Sequence, residues 1–286
     1  MALSHRRDLG RVRKDGSLRR IKDQTDEICI EAVKQNGHAL EYVKNQTTEI
    51  CLIAVNQNGI ALKHVRNKTR EICIAAVRKD GYALEYVDEQ TTEICLIAMK
   101  QNGNTLRRVK NRTREICLEA VKQCGWALKY IDDQTEEIVL TAINQEYHAL
   151  QFVKDKTDEI CMIAIRCNGF ALEHVENQTE EMCLIAVNSR GMSLRYVKNQ
   201  TEEDVRKGTS SLSPMAYEAI CLAAVRQNGC ALWNVKNRTR EMCMIAVSNP
   251  VFKPSSNHHS YAMNDVRRLR DVDDPEVRAI CERLIL

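Results

Sequence analysis

The sequence predicts an all-α protein, an α-solenoid of stacked short helix-turn-helix repeats with a 22-residue period, and three observations carry that prediction. Thr25, Thr47, Thr69, Thr91, Thr113, Thr135, Thr157, Thr179 and Thr201 recur at that period, each followed two places later by Glu. Within the unit TxEICLxAVxQNGxALxYVxNQ, slots four, five, six, eight and nine are apolar. At about 100° per residue those slots cover an arc of about 200°, which suits a helix buried on two sides. All four prolines, Pro214, Pro250, Pro254 and Pro275, lie outside the regular units, where helix breakers belong.

The elements follow in chain order. Residues 1–24 form a basic N-terminal segment, with Arg6, Arg7, Arg11, Arg13, Lys14, Arg19, Arg20 and Lys22, that could meet an acidic partner. It carries an eroded half repeat, Leu18 and Ile21 standing where Leu40 and Val43 stand later. Residues 25–200 make eight regular units. Thr at slot one is the expected N-cap of a first helix, and Glu at slot three complements the positive end of its dipole. Gly at slot thirteen, as in Gly37 and Gly59, is expected to be the left-handed residue that stops that helix. A second helix of about two turns follows, exemplified by Ala39, Leu40 and Val43 on one stripe.

One copy has Glu146 and Tyr147 in place of AsnGly, so a distorted corner is expected there. A loop insertion is expected at 201–216, resumed repeats at 217–249 and a loop at 250–264. A capping helix is expected at 265–286, with Asp274 as N-cap and Pro275 in the first turn. Each two-helix unit is too small to bury its own apolar faces, so neighbouring copies must stack.

Composition sets limits on function. The chain has 286 residues with 44% hydrophobic and 28% charged, and its net charge of +3 gives no chain-wide field for nucleic acid or an anionic membrane. No apolar run reaches the roughly 18 residues of a membrane span. The opening MALSHRRDLGRVRKDG lacks a signal-peptide core, so an intracellular, cytoplasmic protein without membrane contact is expected.

The signature EICLEAVKQCGWALKYIDDQT and its sister copies over residues 25–249 resemble an uncharacterised helical repeat family of amoebal giant DNA viruses and some intracellular bacteria. The resemblance implies an α-helical repeat fold and a viral or host-interaction setting, and it brings no catalytic residues.

Candidate chemistry resolves mostly into repeat grammar. Nine of the thirteen cysteines, Cys29, Cys51, Cys73, Cys95, Cys117, Cys161, Cys183, Cys221 and Cys243, share slot five, where Val139 also stands. Stacked helices would hold them about 9 Å apart, too far for a disulfide or a shared zinc, so they read as a small-residue core column. The NxT sequons at Asn45, Asn67, Asn111, Asn177, Asn199 and Asn237 join one unit to the next. Histidines fall at slots fourteen and eighteen without pairing in any copy, and His258 and His259 sit in the expected loop. No phosphate loop, nucleophile elbow or HExxH pair occurs, so no catalytic, cofactor-binding or metal residue is assigned and no enzyme is expected.

What varies on the constant frame is more informative. Slot fourteen carries His38, Tyr82, Trp126 and Phe170, and slot eighteen carries Tyr42, His64, Tyr86, Arg108, Tyr130, His174 and Tyr196. Treated as one turn of helix apart, these slots form a face rich in the residue types that concentrate binding energy. The alternative is irregular packing between neighbouring copies. Helix-two charges alternate in sign, with Lys63 and Arg66, then Glu85 and Asp88, then Arg107 and Lys110, and later Glu173 and Glu176, then Arg195 and Lys198. Ion pairs between copies suit that alternation better than a phosphate-tracking stripe. The expectation is a non-enzymatic scaffold that binds a protein partner through the helix-two face. The alternatives are a nucleic-acid-binding array or a structural component of a viral assembly.

Overall fold

The computed structural model describes residues 7–12, 17–19, 21–198, 212–236, 238–249 and Pro275. The expected loop at 250–264, most of the capping helix at 265–286 and residues 201–211 of the insertion lie outside them. Among the described residues there are α-helices, 3-10 helices and turns, and no strand. The chain divides into two compact units, Met1–Phe152 and Val153–Leu286.

In the first unit, six α-helices, Asp26–Gln35, Thr48–Gln57, Arg70–Lys79, Thr92–Gln101, Arg114–Gln123 and Glu136–Gln145, each precede a six-residue 3-10 helix. The 3-10 segments run from Gly37–Tyr42 to Tyr147–Phe152. The second unit repeats the pair at Asp158–Cys167 with Gly169–His174, at Glu180–Ser189 with Gly191–Tyr196, and at Pro214–Gln227 with Gly229–Asn234. The α-helix Arg240–Ser248 follows. Within each unit the elements pack against their counterparts in adjacent copies, and the repeated pattern is that of an all-α solenoid.

Local chemistry explains each boundary. The slot-one threonine caps its helix by accepting a hydrogen bond from the slot-four amide, as Thr47 Oγ1 does from Ile50 at 3.3 Å. Thr135 makes no such bond. At the other end the slot-twelve residue turns into an extended conformation, φ −147° and ψ 109° at Asn36, and its amide still donates to Ala32. Its side chain then accepts from the amide two residues on, as Asn58 Oδ1 does from Ile60 at 3.0 Å, and so opens the 3-10 segment. One Asn therefore closes one helix and starts the next.

Three expectations need correction here. The turn glycines are not left-handed, since none of the seven from Gly37 to Gly191 has φ in the positive region. They are glycine because of close approach. A Cβ on Gly37, Gly59 or Gly125 would lie 2.5 Å from the slot-eight carbonyl oxygen of the next copy, of Ala54, Ala76 and Ala142 respectively. The corner at Glu146 and Tyr147 is not distorted either. Glu146 has φ −153° and ψ 108°, matching Asn36, and the 3-10 helix keeps its six residues. The first unit ends with that copy, the one described copy whose turn slot carries a Cβ. Finally, Ser213 caps a helix that starts at Pro214, so residues 214–216 of the expected insertion are helical.

The core is the array's interior. Slots four, five, eight and nine are buried, Ile50, Cys51, Ala54 and Val55 at 0–3% exposure, with Ile160 half-buried as the exception in slot four. From the second segment Ala61, Leu62 and Val65 join them. Slot six, expected to be buried, is only half-buried at Ile30, Leu52 and Ile74. Leu18 and Ile21 of the eroded half repeat are buried, and Ile21 N donates to Leu18 O as Val43 N does to Leu40 O.

Candidate binding face

The 3-10 geometry changes how slots fourteen and eighteen meet. At three residues per turn, positions four apart point about 120° from each other, so the two slots of one copy do not share a face as an α-helix would have it. Contact is made across copies instead. His38 and His64 meet edge to face with ring centroids 5.5 Å apart, Trp126 and Phe152 at 5.6 Å, and Phe170 and Tyr196 at 6.0 Å. In each pair slot fourteen of one copy meets slot eighteen of the next.

The remaining candidates add polar contacts to the same ridge. Tyr82 Oη accepts from Asn102 Nδ2 at 3.2 Å, and the Arg107 guanidinium lies 5.4 Å from its ring. Arg108 pairs with Glu85 at 2.6 Å. The guanidinium groups of Arg190 and Arg195 lie over the Phe170 ring, 5.2 and 5.6 Å from its centroid. Arg195 also donates to Tyr196 Oη at 2.7 Å, and Lys129 sits 4.8 Å from the Tyr130 ring. Burial lowers the His64 pKa, helped by Lys63 and His38 and opposed by Glu41. Tyr86 and His174 are half-buried, whereas Tyr42 and Trp126 are the exposed aromatics among the described residues, at 41% and 37%. Within each unit the candidate residues thus line a ridge, several of whose members are half-spent on holding copies together.

Slot twenty-two, missed in the sequence, carries the junction. Gln46 Nε2 donates to Leu40 O of its own copy at 3.1 Å and to His64 O of the next at 2.9 Å, and its Oε1 accepts from Arg66 N at 2.9 Å. Gln24, Gln90 and Gln178 make the same pair of bonds to the next copy. Where Gln latches, slot twenty of the next copy is basic and reaches back to the preceding slot-twenty carbonyl. Lys44 bonds Lys22 O, Arg66 bonds Lys44 O and Lys110 bonds Asp88 O, at 2.9, 2.7 and 3.2 Å.

Where slot twenty-two is basic, slot twenty of the next copy is acidic. Lys68 pairs with Asp88 at 2.9 Å, and Arg112 precedes Asp132 and Lys156 precedes Glu176 at the same spacing. The alternating helix-two charges thus find other partners than the expected ones, since Asp88 takes Lys68, Glu85 takes Arg108 and Arg66 turns to backbone carbonyls. Identical spacing of a neutral latch with a cation and a cationic latch with an anion was the signal available in the sequence.

Windows of about two copies match a family model described as a domain of unknown function, DUF4116, at residues 25–70, 47–92, 69–113, 91–135, 113–157 and 135–179. Together they span more than half of the chain. The chain belongs to the DUF4116 family. No curated protein and no solved structure matches it. The DUF4116 windows advance by one copy, whereas the latch type alternates from copy to copy at Gln46, Lys68, Gln90 and Arg112. Arg70 and Arg114 likewise reach Glu93 and Glu137 in every second copy.

Cysteine chemistry in this DUF4116 array is muted. The nine slot-five cysteines are buried, and burial raises their pKa where a shift is resolved, to about 12 at Cys183 and about 11 at Cys221. Cys124 and Cys230 are half-buried and Cys167 is exposed. No group of three His, Cys, Asp or Glu among the described residues could hold a metal ion. A cleft of about 280 Å³ is lined by Lys110, Arg112, Arg114, Asp132, Asp133 and Thr135, a balance of charge that selects neither sign of ligand. No helix among the described residues is long and apolar enough to cross a membrane.

Proposed function

We propose that this DUF4116 chain is a non-enzymatic repeat scaffold that binds a protein partner through the slot-fourteen and slot-eighteen ridge. The supporting observation is that exposed Trp126 rests against Phe152 and His148, with centroids 5.6 and 5.9 Å away. A large aromatic held by its neighbours loses little freedom on binding, and such residues dominate interface energetics. Neighbouring copies offer different residues in the same place, so specificity comes from the order of copies along the ridge. The column of thiols from Cys29 to Cys221 suits a reducing, intracellular compartment. The resemblance to viral and intracellular bacterial repeats adds a host-interaction setting.

The test is affinity capture of the tagged chain from its native cells, with and without nuclease, repeated with Trp126→Ala and Tyr42→Ala. Protein partners that survive nuclease and are lost by about tenfold with Trp126→Ala, at unchanged helicity, support this face. Partners unaffected by both substitutions move the site elsewhere. Recovery that collapses with nuclease assigns the ridge to nucleic acid.

A further inference from the structure

The outward face of the α-helices carries a pattern that the ridge does not use. In the first unit, slot six is Leu or Ile in all six copies and half-buried at the surface, as at Leu52, Ile74, Leu96 and Leu118, while slot seven adds Ile53 and Ile97 but is Glu31, Ala75, Glu119 and Thr141 in the other copies. The solvent face of a surface helix is ordinarily polar, so a half-exposed row of Leu and Ile needs a reason. Slots three and ten lie within about 20° of each other and about 10 Å apart along each helix, with slots six and seven between them. Slot three is Glu in all six copies, from Glu27 to Glu137, and every one is exposed, with Glu93 and Glu137 paired to Arg70 and Arg114 of the preceding copies and the row still net acidic. Slot ten is Lys34, Arg78, Lys100 or Lys122 in four copies and Asn in the other two, all exposed.

The face is therefore three parallel rows, acidic, apolar and basic. Helix dipoles account for an acid near each N-terminus and a base near each C-terminus. They do not account for the apolar row between them.

We propose that this face is the interface of a homodimer, occupied by a second copy of the chain. The argument is charge complementarity under symmetry. A two-fold axis running along the array turns the second copy over, so its basic row lies on the first copy's acidic row and its acidic row on the first copy's basic row, with the apolar rows between. A two-fold axis parallel to the helices would set acid on acid. One orientation is thus selected, and the second copy already carries the complement that any other partner would have to supply. The inference does not depend on the aromatic ridge, which lies on the 3-10 segments.

The test is the mass of the full chain by light scattering and sedimentation across its soluble concentration range. The expected result is twice 32.7 kDa, falling to the monomer with Leu52→Glu/Leu96→Glu at unchanged helicity. Two further variants remove the dependence on that pair. Glu27→Lys/Glu49→Lys/Glu71→Lys/Glu115→Lys makes both charged rows net basic, and Arg78→Glu/Lys100→Glu/Lys122→Glu makes both net acidic. Each alone should be monomeric, and an equimolar mixture should form heterodimers. A monomeric parent chain at every concentration overturns the proposal, as does a dimer that all three variants leave intact. A mixture that stays monomeric while the parent dimerises overturns the assigned two-fold axis.

Discussion

Gly59 and Gly81 occupy the same slot and differ in one respect. A Cβ on Gly59 would lie 2.5 Å from Ala76 O and 2.8 Å from the Asp80 Cβ, whereas on Gly81 it would lie 3.1 Å from both Ala98 O and the Thr105 Cγ2. Backbone oxygen has nowhere to retreat without moving the helix that carries it. Gly59→Ala should cost about 1–3 kcal/mol, the usual range for overpacking, and Gly81→Ala clearly less. Chemical denaturation of the two variants checks this, and equal losses would show that conformational freedom rather than approach is what the slot needs. Legibility at this scale was partial. A glycine at a fixed slot after a helix marks a turn, but the sequence does not distinguish a left-handed turn from a close neighbour, because both remove the Cβ. His38 and Tyr82 show the same limit. Their residue types announced contact, and the second party, another copy, was supplied by the fold.

At the scale of the element, the threonine caps, the buried slots and the helix hairpin were readable because each depends on local spacing. The second segment's 3-10 form was not, and it redirected the aromatic slots from within a copy to between copies. The latch was hidden for a related reason, since its two halves lie twenty residues apart and only stacking brings them together. Its logic can be exchanged. Lys68→Gln alone leaves Asp88 without its cation, and Asp88→Lys alone sets two cations together. The double variant recreates the Gln46 and Arg66 arrangement, with the glutamine bonding two backbone groups of the next copy. Exposed ion pairs contribute about 0–1 kcal/mol and each backbone bond about 1 kcal/mol. Both single variants should lower the denaturation midpoint, and the double should recover or exceed the parent. A double-mutant cycle with no coupling would show that the two positions do not interact.

For the whole molecule, the latch makes copies of like outline non-interchangeable. Gln and basic latches alternate at positions 46, 68, 90 and 112, so the junctions repeat in pairs. Solenoid stability is close to a sum of units and junctions, and the junction is what the pairing controls. Deleting residues 69–90 removes one copy and sets Lys68 before Lys110, a basic latch before a basic slot twenty. Deleting 69–112 removes two copies and sets Lys68 before Asp132, a matched junction. Adding Lys68→Gln should then act with opposite sign in the two backgrounds. It should stabilise the one-copy deletion by about 1–2 kcal/mol, by replacing a like-charge contact with two backbone bonds, and destabilise the two-copy deletion by about 0–1 kcal/mol through loss of an ion pair. Each comparison is made within one length, so the missing copies cancel. The same sign in both backgrounds would mean that the alternation is incidental to stacking. Opposite signs would mean that the order of copies along the array is written into its junctions, which is also what keeps a chosen sequence of surface residues in register.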